Sequence, residues 1–291
     1  MQNLTRSKNL KTLISSGLTI APGVYDGMSS LLANKANFKA IYASGGAIAR
    51  STGRPDIGLL SLTEVVQRVR EIVAVSNVPV IADADTGFGN ELNVQRTVHE
   101  FENAGVAAIH IEDQTFPKRC GHLNNKTLIA TEEMCKKILV ASKSRTQEDF
   151  LIIARTDAIA VEGFSAAIDR AKAYAEVGAD MIFVEAPESV AQVEQIAQQI
   201  SKPKLINMFY GGKTPLIPAS DLAAMGYRVA IIPSDLQRAT IHAVEKTLNA
   251  IAKKGDSSEI ADQLATFNAR EVIVRTKAYF EDIKTMVGDG K

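Results

Sequence analysis

Three carboxylates and one thiol are the residues in this sequence best suited to chemistry. Asp83 and Asp85 stand two apart in PVIADADTG (79–87), and Glu112 follows in AAIHIED (107–113). Carboxylate oxygens are hard donors, so this set suits Mg2+ or Mn2+, with positions left for water and for a substrate's oxygens. No cluster of His and Cys accompanies them, which disfavours zinc. The thiol is Cys120, within Lys118-Arg119-Cys120-Gly121-His122. Three potential cations beside one thiol lower its pKa from about 8.5 toward neutrality. The glycine lets the segment move as a lid. On chemistry alone, a solvated basic loop with an incidental cysteine stays open.

Other motifs and several function classes drop out. In GFGNEL (87–92) Leu92 occupies the third glycine of a dinucleotide fingerprint, and in NMFYGGKT (207–214) Asn207 stands where a P-loop needs its first glycine. No G-x-S-x-G elbow is present. The 291 residues carry 33 basic and 33 acidic side chains, so no positive excess drives phosphate binding and nucleic acid is excluded as a partner. No apolar run approaches the ~18 residues of a membrane helix. Cys120 and Cys135 are the only cysteines, which points to a reducing, cytoplasmic setting.

Eight β-branched runs must position these groups: 18–26, 39–46, 79–87, 107–113, 150–158, 181–186, 204–209 and 228–233. Near-continuous apolar character suits strands buried on both faces of a parallel sheet. Amphipathic stretches alternate with them, one opened by Thr63 and Glu64, and Gly105 and Gly178 stand at helix ends. Eight β-then-α units predict a (β/α)8 TIM barrel, with a doubly wound open sheet as the alternative. We expect one domain over residues 1–291, with a helical extension over about 257–285. Its Phe267, Val272, Val274 and Phe280 should pack on another subunit. Side chains alternate along a strand, so Asp83/Asp85, His110/Glu112 and Arg155/Asp157 each share a face. With Ser44, Glu185 and Asn207 they should ring the C-terminal rim, where such barrels build active sites. Cys135, His99 and His242 read as helical packing or surface residues.

The strings Asp83-Ala84-Asp85-Thr86-Gly87-Phe88-Gly89, Ile111-Glu112-Asp113-Gln114 and Lys118-Arg119-Cys120-Gly121-His122 resemble the isocitrate lyase/phosphoenolpyruvate mutase superfamily, and within it the 2-methylisocitrate lyases. The likeness covers roughly residues 10–275 and includes Tyr42–Gly46, Pro55–Gly58, Ala154–Ala158 and Asn207. It implies an eighth helix exchanged between subunits of a homotetramer, and Mg2+ at the rim. It implies Asp85 as direct metal ligand, with Asp83 and Glu112 acting through metal-bound waters. Ser44, Gly45 and Gly46 would hold an α-keto carboxylate, with Asp56 closing over the site. Arg155, Arg119, Gly121, His122, Glu185 and Asn207 would line the pocket, and Cys120 would donate a proton. The implied reaction is cleavage of a 2-hydroxy di- or tricarboxylate to pyruvate and a second acid. The initiating base stays open among Tyr42, a metal-bound water and a rim carboxylate. One departure stands out: Tyr210 occupies the family's glutamate in N-x-x-E.

Overall fold

The computed structural model describes residues 2–121 and 125–287. Each of the eight apolar runs holds one strand, β8 starting one residue before its run: β1 Thr19–Val24, β2 Ile41–Ala43, β3 Val80–Asp83, β4 Ala108–Glu112, β5 Leu151–Thr156, β6 Met181–Val184, β7 Lys204–Asn207 and β8 Tyr227–Ile232. All neighbours pair in parallel and β1 returns to β8, with Thr19 opposite Val229, so the sheet closes into a barrel. The open-sheet alternative is thereby removed.

Before β2 lie α1 (Gln2–Ser16) and α2 (Gly27–Lys35), and α3 (Gly45–Ser51) and α4 (Leu62–Val75) precede β3. Next come α5 (Glu91–Ala104), α6 (Thr131–Ser144), α7 (Ile159–Glu162), α8 (Phe164–Glu176), α9 (Val190–Gln199) and α10 (Ala219–Ala224). The chain ends in α11 (Asp235–Lys254), a 3-10 turn at Ser258–Gln263, α12 (Phe267–Ile273) and α13 (Thr276–Val287). It divides into two compact units, residues 1–236 and 237–291.

Period-two alternation sorts the strand side chains into two cores. Ile109, Ile111, Ile152 and Ala154 face the helices, while Ala108, Leu151, Ile153, Met181, Phe183 and Leu205 fill the barrel. Continued toward the C-terminal ends, the inward series becomes polar. Asp83 follows Ile81, Arg155 follows Ile153, Glu185 follows Phe183, and Asn207 follows Leu205. The interior is apolar at the bottom and charged at the rim.

Two local features differ from the sequence reading. The cap of α4 is Ser61, not Thr63. Its hydroxyl accepts from Glu64 N at 3.3 Å, and the Glu64 carboxylate accepts from Ser61 N at 2.8 Å. That reciprocal pair needs the three-residue spacing that Ser61 has and Thr63 lacks. The N-terminal segment, to which no element was assigned, forms α1, whose Leu10 is buried with Ala40, Ala107 and Ala108 at the foot of the barrel.

In the second unit, Ile241, Val244, Leu248 and Ile251 recur every three or four residues along α11 and are exposed in the single chain. Phe267, Val272 and Phe280 are exposed as well, and the Arg270 guanidinium lies 4.6 Å from the Phe267 ring centre. Among the described residues no helix is long and apolar enough to cross a membrane.

If Leu10 stoppers the barrel, Leu10→Ala leaves a cavity there and should cost about 2–5 kcal/mol. Urea denaturation checks this, and unchanged stability would uncouple α1 from the core.

Candidate active site at the barrel rim

The deepest polar cluster joins β3 and β4. Ligand atoms of Asp83, His110 and Glu112 lie within 4.8 Å of one another, and all three residues are buried. Strand register creates this, because Asp83 stands directly opposite His110. Neither carboxylate oxygen of Glu112 has a hydrogen-bond partner, and the nearest cation, Arg155 Nε, is 3.4 Å from Oε2. Burial therefore pushes Glu112 well above the usual carboxylate range. A carboxylate buried without partners is costly, and a cation beside it removes the cost. Hard oxygens flanked by one imidazole fit a divalent metal.

Asp85 lies at the edge of this cluster. Its backbone is left-handed (φ 46°), an unusual and strained state for a non-glycine residue. Its Oδ1 lies 2.9 Å from Lys118 Nζ, and burial pushes its carboxyl up to about 6. Burial also acts on Asp83, but His110, Lys118 and Arg155 outweigh it and pull that carboxyl down to about 2. Asp83 Oδ1 further accepts from Asp85 N at 3.0 Å. His110 is pushed down to about 4 by burial, so its ring is neutral at pH 7. It sits 2.8 Å from the Tyr42 hydroxyl, which burial and then Asp83 hold well above its usual pKa.

The loop after β4 is anchored at successive residues from Lys118 to Gly121. Lys118 Nζ reaches Asp56 Oδ1 at 2.6 Å as well as Asp85. The buried Gln114 clamps the Arg119 peptide, accepting from its N–H at 2.9 Å and donating to its carbonyl at 2.8 Å. Cys120 N donates to the Asp56 carbonyl at 3.2 Å. Lys126 Nζ donates to the Gly121 carbonyl at 2.5 Å and to Asp157 Oδ1 at 2.8 Å. Asp157 in turn holds the Arg155 guanidinium by two bonds of 2.9 and 3.1 Å. A Cβ on Gly121 would lie 2.6 Å from Glu185 Oε1 and clash with Arg155, so only glycine lets the loop approach this closely.

The other expected residues fall as follows. Ser44 is buried and caps α3, its Oγ accepting from Ala47 N at 3.3 Å. Gly45 lies against Asp83 and Gly46 against Asp56, where a Cβ would come within 2.6 and 2.7 Å of their carboxylates. Asn207 Nδ2 donates to Glu185 Oε1 at 3.2 Å. Arg119 is exposed and joins the cluster through its backbone; Tyr210 is 71% exposed. His122 lies outside the described residues. Sequence reasoning assigned no role to His110, Gln114 or Lys126. For His110 a signal existed, since it shares its strand face with Glu112. For Lys126, five residues past Gly121 in a polar loop, there was none.

A family model described as phosphoenolpyruvate phosphomutase matches residues 10–252. The chain belongs to this family. Relatives of the phosphoenolpyruvate phosphomutase family include a 2-methylisocitrate lyase of Aeropyrum pernix. It is 47% identical over 249 residues, covering 86% of this chain and 80% of its own. A solved 2,3-dimethylmalate lyase, a PEP mutase/isocitrate lyase superfamily member, superposes with a TM-score of 0.91 at 32% identity, covering 99% of this chain and 96% of its own. A phosphonopyruvate hydrolase solved with oxalate and Mg2+ superposes with a TM-score of 0.87 at 29% identity, covering 96% and 98%.

Burial raises Asp157, but Arg155 and Lys126 outweigh it and hold its carboxyl well below the usual range. A depressed folded pKa gives stability that is present above the unfolded value and lost as pH falls toward the folded one. Asp157→Asn should therefore cost about 3–5 kcal/mol at pH 7. The gap from wild type should narrow as pH drops through the carboxylate range of about 5 to 2. Urea titrations across that range check it, and a pH-independent gap would remove the ion pair from the account.

Proposed function

We propose that the chain is a lyase that cleaves the C2–C3 bond of a 2-hydroxy di- or tricarboxylate, with 2-methylisocitrate as the leading substrate and pyruvate and succinate as products. The observation that carries this reading is the anchoring of the Cys120 peptide. Asp56 holds it on one side and Lys126 holds its neighbour on the other, both tied to the rim carboxylates and Arg155. An acid fixed beside a divalent-metal cluster is what carbon–carbon cleavage followed by protonation requires. The names of the relatives support the substrate class. Tyr210, standing exposed where a glutamate was expected, favours a second reading on the same barrel, a 2,3-dimethylmalate-type substrate.

In this reading the α3 N-terminus, with Ser44, Gly45 and Gly46, and the Arg155 guanidinium hold the carboxylate next to the 2-hydroxyl. Asn207 and Glu185 face the remaining carboxylates, with Arg119 and His122 assigned to them by the family resemblance alone, and Asp56 and Gly121 close the site. Asp83, Asp85 and Glu112, with His110 beside them, would hold Mg2+ (or Mn2+), which as a Lewis acid acidifies the 2-hydroxyl. Tyr42, kept protonated, donates a hydrogen bond, and the hydroxyl proton passes to a rim carboxylate or water. The electrons of the breaking bond pass to the departing fragment as an enediolate. Cys120 delivers its proton to that carbon, and the thiolate left behind is stabilised by the nearby cations. The closed loop keeps bulk water from the carbanion.

Assembly belongs to the same reading. The apolar stripe on α11 and the exposed Phe267, Val272 and Phe280 are covered by further copies in a homotetramer, with the eighth helix exchanged between subunits. The setting is cytoplasmic.

Four outcomes are expected. Pyruvate release should be strongest with 2-methylisocitrate or 2,3-dimethylmalate, tested against isocitrate, citramalate and oxaloacetate. EDTA should abolish it and Mg2+ restore it; turnover by metal-free protein would sink the metal assignment. Cys120→Ser should lower kcat about 10²–10⁴-fold with substrate dissociation nearly unchanged, because serine is too weak an acid. Wild-type kcat in that variant would move the chemistry toward decarboxylation. Light scattering should give a tetramer at micromolar concentration, and a monomer would overturn the assembly.

A further inference from the structure

Cys120 also lines a second space. A cleft of about 500 Å³ opens beside it, walled by Arg50 at the end of α3, by Arg54, Asp56 and Ile57 of the following loop, and by Cys120. Cys120 is partly exposed. Both arginines are exposed, whereas Asp56 is already engaged by Lys118 at 2.6 Å. The Arg50 guanidinium and the second Asp56 oxygen flank Gly46, each within 3.3 Å of where a Cβ would stand, so the cleft adjoins the glycine turn at the head of α3. The wall therefore carries two arginines against one carboxylate that has its own partner. Its remaining surface, from Pro55 and Ile57, is apolar.

We propose that this cleft is an anion-binding antechamber, in which Arg50 and Arg54 take a free carboxylate of the fragment that Cys120 protonates. This rests on the proton-donor role of Cys120 given above. The chemistry that fits is a short aliphatic carboxylate. Guanidinium forks match carboxylate geometry, the apolar wall accepts a methylene chain, and Cys120 lines the same cleft. The antechamber gives substrate selection a set of residues separate from those that break the bond.

Alkylation of Cys120 tests this without turnover, read by peptide mass spectrometry with Cys135 as internal control. Iodoacetate and iodoacetamide both place a carbon on sulfur and release iodide, but only iodoacetate is an anion. At Cys120 the ratio of iodoacetate to iodoacetamide rates should exceed that at Cys135 by about 3–10-fold, and should fall as ionic strength rises through the range that screens exposed charges. Arg50→Gln and Arg54→Gln should each lower the ratio several-fold, and together abolish the excess, with the iodoacetamide rate within about twofold of wild type. Succinate should slow iodoacetate in wild type and not in the double variant. A ratio unmoved by both substitutions and by succinate overturns the antechamber. Pyruvate release alongside an unmoved ratio overturns it alone. A ratio that responds as expected in a protein that releases no pyruvate keeps the anion site and overturns the lyase reading. Both arginines are exposed, so their replacement leaves the core intact; Arg54→Glu, which should push the ratio below that of Cys135, gives a second test of sign.

Discussion

Like charges crowded out of water are the constraint on which the rest of this molecule depends. Among the described residues, six carboxylates (Asp56, Asp83, Asp85, Glu112, Asp157 and Glu185) share three buried cations, Lys118, Lys126 and Arg155. Charge on that scale is tolerated only where each group is paired or neutralised. Asp157 has the best partners and stays ionised; Glu112 has the poorest and is pushed toward its neutral form. A divalent cation near Glu112 closes most of the deficit. The uneven pairing around the rim thus marks where a metal belongs.

The same constraint explains the loop that follows β4. Lys118 and Lys126 are buried because the carboxylates need them, and burying them draws the chain between them down onto the rim. The glycine at 121 and the left-handed backbone at Asp85 are the local costs of that approach. A network below supports it. Asp113 accepts from Thr156 Oγ1 at 2.7 Å, from Asp157 N at 2.9 Å and from the Tyr174 hydroxyl at 2.9 Å, which ties the ends of β4 and β5 together. Arg155 and Asp157 are therefore set by the backbone as well as by each other.

What the sequence made legible follows from range. Strand identity and the facing of Asp83, Glu112 and Arg155 depend on period-two alternation within a few residues, and those expectations held. Closure of the sheet depends on strand tilt and stagger accumulated over eight strands, which no local pattern carries. The cap at Ser61 was missed because Thr63 stood nearer the apolar run, although the spacing to Glu64 favoured the serine. Gln114 was visible as a motif letter, but its clamp on Arg119 exists only once the loop turns back. Lys126 reaches Asp157 across thirty-one residues of sequence, a separation at which a lone lysine in a polar loop looks like any other.

The clamp on residues 118–121 is made largely with main-chain atoms: both polar groups of the Arg119 peptide, the Cys120 amide and the Gly121 carbonyl. The side chain at 119 points to solvent, as does that of Tyr210. Neither is needed to keep the thiol in place. Selection can therefore rewrite these positions and, in the reading proposed above, the acids the barrel accepts, without disturbing the thiol proposed to complete the reaction. A lineage built this way can diversify in diet while its chemistry stays fixed.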